Sequence, residues 1–287
     1  MPSGARAIGT YVAQFDPLFK TLAQRQGFRA YLSGLLLPRE RPKILTALAD
    51  AEPLVQAQAA EVQRLQFFLS EAAWDAATIN ARRLALLLED PAHAPSVTGA
   101  LVIDDTDDRK DGHATGHVAR QYLGSVGKFD NGIVAVTSLW AAERHYHPLH
   151  VMPYTPAVRL ADGRRDAAFH TNPQIAMDLI EQAIAAGIRF QAIVSDCFYG
   201  ENNAFESTLL QRRLPYVLAR RGNAPLGWAA QEVTHTLREA AGEVPASAWR
   251  KVKRTFPFAT VMWNTGGPAS CACFAMAQTN RCGRPAR

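Results

Sequence analysis

Leu101-Val102-Ile103-Asp104-Asp105-Thr106 and Phe190-Gln191-Ala192-Ile193-Val194-Ser195-Asp196-Cys197 are the two stretches on which the reading of this chain turns. Each is a short apolar run of the kind that forms a buried strand, and each stops at an acid. Neighbouring strands of a sheet lie about 5 Å apart, so two acids leaving two strand ends can meet. Two carboxylates at that distance repel unless a proton or a cation compensates them. Magnesium suits such a pair, because it takes oxygen ligands and is commonly held by one or two carboxylates plus a substrate phosphate. Taken singly, Asp104 and Asp105 could equally cap a turn, and Asp196 the helix after it.

Outward from these stretches, the period of the apolar residues changes along the chain. Before them, Tyr11, Phe15, Leu18, Phe19 and Leu22 recur at three- and four-residue steps, as do Tyr31, Leu32, Leu35 and Leu36. That spacing predicts amphipathic helices. Turns are expected at Pro38 to Pro42 and at Pro53, then a helix over Val62 to Ser70 and another that follows Trp74 and ends before Asp90-Pro91. Pro91 to Gly99, rich in proline and small residues, reads as a link between domains.

After the link the pattern is strand-like. Strands are expected at Ala100 to Asp105, Gly132 to Ala141 and His145 to Tyr154, the last two as a hairpin, with Pro148 confining its strand to an edge or a bulge. Thr171-Asn172-Pro173 reads as a helix start and Gly187 as its stop. A strand at Ile188 to Ser195, a helix from Asn203 to Arg212 and a strand at Leu214 to Ala219 follow. Antiparallel strands feeding through a helix into further strands imply a mixed sheet with helices packed on it.

Composition sets outer limits. The chain has 287 residues, 48% of them apolar, enough for a large core in one or two domains. No run reaches the roughly 18 apolar residues of a membrane span, and the amino terminus leads into no signal-peptide core. A cytoplasmic, nucleoid-associated location without membrane partners is the expectation. The net charge of +5 favours an acidic partner such as nucleic acid, though an ordinary basic protein would carry it too. Three of the four cysteines, Cys271, Cys273 and Cys282, crowd the carboxyl-terminal stretch. They lack the paired spacing and fourth ligand of a zinc site.

The stretch Leu101 to Ser138, LVIDDTDDRKDGHATGHVARQYLGSVGKFDNGIVAVTS, resembles the region around the first catalytic aspartate of DDE-type insertion-sequence transposases. SDCFYGEN at 195–202 with LPYVLARR at 214–221 is similar to the second-aspartate region. FDPLFK at 15–20, AYLSGLLLPRER at 30–41 and FLSEAAWDA at 68–76 resemble the helical domain of the same proteins. The likeness extends over about residues 10 to 255.

The resemblance implies an α/β fold with an RNase H-like mixed sheet and flanking helices, preceded by an all-α domain. The domains would be a helical DNA-binding domain at 1–97, the catalytic core at 98–221, a partial insertion subdomain at 222–260 and a disordered tail at 261–287. It implies Asp105 and Asp196 as catalytic acids that bind divalent metal, Mg²⁺ or Mn²⁺, with Asp104 a neighbour. Arg120, Lys128, Arg220 and Arg221 are the candidates for contacts to DNA phosphates. The partners would be transposon terminal inverted repeats and target DNA, with a homodimer assembled on them.

In one respect the chain departs from that family. Its third acid is a glutamate in a pattern of Tyr, two residues, Arg, three residues, Glu, six residues, Lys, and here no tyrosine follows Tyr216. Glu201, Glu206, Glu232, Glu239 and Glu243 stand in other settings, so the third acid is unassigned. The stretch GGPASCACFAMAQTNRCGRPAR reads as the product of a frameshift or an early stop. Three functions follow: a transposase made incomplete by the missing acid, a catalytically inactive DNA-binding fragment of one, or an aspartate-nucleophile phosphohydrolase using Asp105-Thr106-Asp107. The last fits poorly, since Arg109 stands where that chemistry wants a hydroxyl.

Overall fold

The computed structural model describes the chain except residues 1, 37–43, 52–57, 144, 227–234, 244–251, 257–258, 264–275 and 278–287. The expected turns at Pro38 to Pro42 and Pro53, Glu232, and the three carboxyl-terminal cysteines lie outside the described residues. The chain divides into two compact units, Met1–Glu89 and Asp90–Arg287.

The first unit is all helix: α1 (Pro2–Ala13), α2 (Leu22–Leu36), α3 (Leu45–Leu48), α4 (Ala60–Ser70) and α5 (Ala76–Glu89). The apolar positions at helical spacing form its core, where Val12, Phe15, Phe19, Phe28, Leu65 and Phe68 are buried. Aromatic rings dominate that core: Phe15 and Phe19 lie 5.2 and 5.0 Å from Phe28, and Phe68 stacks on Trp74 at 5.6 Å. Each such buried ring contributes about 1.5–3 kcal/mol through loss of apolar surface to water. Helix α2 starts at a reciprocal cap. The Gln24 amide nitrogen donates to Thr21 Oγ1 at 3.2 Å and the Thr21 amide to Gln24 Oε1 at 3.1 Å. Gly27 lets α2 and α4 touch, since a Cβ there would stand 2.6 Å from the Phe68 ring.

The second unit is built on a mixed seven-stranded sheet. Strand β1 (Ala100–Arg109) is central, antiparallel to β3 (Lys128–Ala141) and parallel to β5 (Ala192–Ser195). Beyond β5 lies β6 (Tyr216–Leu218), parallel to it. On the other side, β2 (Ala119–Leu123) pairs with the first half of β3 and β4 (Tyr146–Pro153) with the second. Leu101, Ile103, Val134, Val136, Trp140 and Ile193 are buried, alternating along their strands with more exposed residues as a pleated sheet requires.

Helix α6 (Asn172–Ala185) packs on β3 and β4. Its face of Ile175, Ala176, Leu179, Ile180 and Ala183 is buried, and it starts at a capping box between Thr171 and Gln174. Its helical turns end before Gly187, whose φ of +80° few other residues tolerate. Two helices follow β5: the short α7 (Cys197–Gly200), then α8 (Asn203–Gln211). Further on are two small antiparallel pairs, β7 (Pro225–Leu226) with β8 (His235–Thr236) and β9 (Val252–Phe256) with β10 (Ala259–Trp263), and between them α9 (Leu237–Glu243). Most of 261–287 lies outside the described residues, but Met276–Ala277 forms β11 against β6.

The differences from expectation have local causes. Strand β1 continues through Arg109 because Thr106 to Arg109 pair with Ala135 to Gly132 of β3, and β3 begins four residues before the expected Gly132 because Lys128 to Asn131 pair with β2. Strand β2 was not expected; its apolar content is only Ala119, Tyr122 and Leu123. Strand β5 begins at Ala192, because Ile188 to Gln191 is spent in the turn after α6. Proline acts as anticipated: the register shifts between Ser138↔His150 and Leu139↔Pro148, leaving Leu149 as the bulged residue on an edge strand.

Candidate active site

The parallel ladder between β1 and β5 ends at Ile103↔Ser195. Asp104 and Asp196 are therefore the next residues out of it, on adjacent strands. Asp105 follows Asp104 and by strand alternation points to the other face of the sheet. Three carboxylates thus leave the ladder within two positions of one another.

Asp105 is held from two sides. Asn172, the first residue of α6, donates its Nδ2 to Asp105 Oδ2 at 2.8 Å. The Tyr199 hydroxyl donates to Asp105 Oδ1. Tyr199 is 1% exposed and packs at 5.5 Å against the ring of Phe205 on α8, so its hydroxyl cannot swing away. Asp196 sets the position of that tyrosine. As N-cap of α7, its Oδ1 accepts from the amides of Phe198 at 3.0 Å and Tyr199 at 3.4 Å. One acid thus caps the helical turn whose third residue grips the other. Gly200, the last residue of that turn, lies so close to the Ala219 carbonyl that a Cβ would collide with it.

The electrostatics are those of crowded acids. Burial raises the Asp105 carboxyl above its ordinary range, the Tyr199 and Asn172 bonds oppose that rise, and the charges of Asp104 and Asp196 add to it. Asp104 is raised too, first by burial and then by Asp196, with a bond from the Asp105 amide at 2.8 Å working against both. Burial and the nearby carboxylates push the Tyr199 hydroxyl far up, so it keeps its proton and remains a donor.

Two of the expected basic residues lie at the β2–β3 hairpin and two at the end of β6. Arg120 and Lys128 line a cavity of about 640 Å³ together with Phe129, Asn131 and Arg159. Lys128 stands 3.5 Å from Asp130. Arg220 pairs with Glu206 on α8 and is only about one-fifth exposed. Glu206 also accepts from the Tyr216 hydroxyl at 3.1 Å, and that phenol is pushed up to about 12, by burial before the carboxylate. Arg221 is exposed, 3.5 Å from Glu201.

These pairings also account for several of the glutamates left over in the sequence. Glu239 is likewise occupied, accepting from the Thr236 amide at 2.7 Å in a cap of α9. Among the described residues no group of three or more His, Cys, Asp or Glu is arranged to hold a metal ion. The donor set around Asp105 and Asp196 nevertheless fits a hard divalent cation. It is all oxygen, each carboxylate keeps lone pairs beyond its hydrogen bonds, and the mutual repulsion is what a cation would relieve.

Sequence reasoning passed over Tyr199 and Asn172. Both lay in quoted stretches, Tyr199 three residues after Asp196 and Asn172 at a recognised helix start. What could not be read was that α7 and α6 turn both toward β1.

A central strand antiparallel to one neighbour and parallel to the next, with acids at the parallel ends and helices against the sheet, defines an RNase H-like α/β core. The sequence matches the family described as DDE superfamily endonuclease over residues 14–265, most of the chain. The chain belongs to the DDE superfamily endonucleases. It is also 33% identical over 217 residues to the "Probable transposase for insertion sequence element IS701" of Microchaete diplosiphon, a match covering 75% of this chain and 54% of that protein. The chain therefore spans about half the length of that curated relative.

Proposed function

We propose that this chain is a DNA transposase that uses Asp105 and Asp196, with Mg²⁺ or Mn²⁺, for phosphodiester chemistry at transposon ends. The observation that carries the reading is the linkage of the two acids: Asp196 caps the turn from which Tyr199 holds Asp105, both just past the end of the parallel β1–β5 ladder. A divalent ion bound there supplies Lewis-acid activation of the scissile phosphate and of the attacking hydroxyl. Tyr199 and Asn172 fix the Asp105 carboxylate and leave it lone pairs facing outward. Arg120, Lys128 and Arg221 serve as phosphate contacts. Arg220, engaged by Glu206, serves to hold the end of β6 in place. The helical unit binds the terminal inverted repeats, and two copies assemble on DNA, as the likeness to insertion-sequence transposases suggests.

A second reading is favoured by one observation, the absence of the Tyr-Arg-Glu-Lys pattern from these 287 residues. Without a third acid the chain binds DNA ends and cuts them little or not at all. Incubation with labelled inverted-repeat DNA and Mg²⁺ or Mn²⁺, scored for both retention and nicking, tests both readings. Metal-dependent nicking abolished by Asp105→Asn supports the enzyme and overturns the inactive form. Salt-sensitive retention without nicking supports the inactive form, and no retention at low salt overturns both.

A further inference from the structure

The β2–β3 hairpin carries an aromatic surface that the acids do not use. Tyr122 and Phe129 are directly paired across it, so their side chains share one face. Both are open to solvent, at 55% and 63% exposure, and their rings meet edge to face at 5.6 Å. Large rings left this open contribute little to folding, because most of their apolar surface stays in water.

Cations surround the pair. Arg120 lies two residues before Tyr122 on the same face, and among the described residues no acid pairs with it. Phe129, Arg120, Lys128 and Arg159 all line the 640 Å³ cavity. The Arg159 guanidinium donates to the Val118 carbonyl at 2.6 Å and the His113 carbonyl at 2.7 Å. The acid in that lining, Asp130, is answered by Arg109 at 3.4 Å and Lys128 at 3.5 Å. A cavity of this size accommodates a drug-sized molecule, and a nucleotide falls in that class. Exposed rings beside an unanswered cation, here Arg120, are the combination that binds unpaired nucleotides, the ring stacking on a base and the cation meeting the phosphate.

We infer that the Tyr122–Phe129 face with Arg120 is a stacking site for unpaired nucleotides of single-stranded DNA, separate from the acid site. This rests on the DNA-processing function proposed above. Strand β1 connects the two regions: Asp105 faces Val136 and Arg109 faces Gly132, which pairs in turn with Ala119 of β2. The hairpin thus lies beyond the acids along the same strands, its rings seven residues past the Asp105–Val136 pair and, by strand alternation, on the face opposite to Asp105.

Fluorescence anisotropy of the full chain with a labelled oligo-dT and with a duplex of equal length tests this. The Tyr122→Ala/Phe129→Ala variant is expected to lose affinity for the single strand by about tenfold or more, the effect of losing one to two stacked bases. Its duplex affinity should stay within about twofold, and Tyr122→Phe should restore single-strand binding. Because both rings are exposed, an unchanged melting temperature is expected to show that the fold is intact. Equal losses on both DNAs, or no loss on either, would overturn the stacking site while leaving the DNA-binding function standing. Wild-type protein that binds neither DNA would overturn that function and the inference with it.

Discussion

The Tyr199 hydroxyl donates to Asp105 Oδ1 from a helical turn that Asp196 caps through backbone amides, so one buried tyrosine links two acids far apart in sequence. Tyr199→Phe keeps the ring packed on Phe205 and deletes only the donor. We expect a loss of about 1.5–3 kcal/mol in folding stability by chemical denaturation, the cost of one hydrogen bond to a charged group. DNA retention should be unchanged, and any metal-dependent nicking should fall.

Ionisation of Asp105 makes a signed prediction about pH. Its folded-state value lies above the ordinary 3.8, with burial the main cause. A group raised in this way contributes stability fully below its unfolded value, and that contribution is lost as pH rises through the folded value. Asp105→Asn removes the loss. The melting temperature of this variant, relative to wild type, should therefore increase from about pH 4 to about pH 7, and added Mg²⁺ should narrow the difference by stabilising only the wild type. A difference constant across that range would contradict the assignment.

Gly200 predicts a steric effect at the same place. A Cβ there meets the Ala219 carbonyl, which is backbone and cannot move aside cheaply. Gly200→Ala should destabilise the protein by about 1–3 kcal/mol, as overpacking of a close backbone contact does. Gly112→Ala, with open space around it, serves as the comparison and should have a much smaller effect.

The basic residues should separate by their surroundings. Arg120→Gln should weaken duplex binding with little dependence on sequence, and should reduce the slope of log affinity against log salt by about one. Arg220→Gln removes the partner of a part-buried Glu206. Its first effect should be a lower melting temperature, before any change in salt slope.

The sheet was legible because its strands obey simple patterns. Leu101 to Ile103 and Ala192 to Val194 are short apolar runs, and α6 shows its buried face from Ile175 to Ala183 at helical spacing. Pro148 announced an edge strand with a bulge. Strand β2 was missed because its pairing with β3 fixes a segment with little apolar content of its own. In the proposed site, Asp105 and Asp196 stand out in the sequence at the strand ends and in the motifs around them. Their hydrogen-bond partners do not: Tyr199 and Asn172 reach Asp105 across 94 and 67 residues, a contact set by topology alone. The engagement of Arg220 by Glu206 was hidden for the same reason, since it depends on how α8 lies against β6.

Asp105 and Asp196 are proposed to hold one divalent ion together. Mn²⁺ binding to the full chain, followed by electron paramagnetic resonance with wild type, Asp105→Asn and Asp196→Asn, tests it most directly. The account predicts a wild-type site whose affinity falls by about tenfold or more in each variant alone, because each removes a charged ligand of the same ion. Undiminished Mn²⁺ binding in either variant would contradict it.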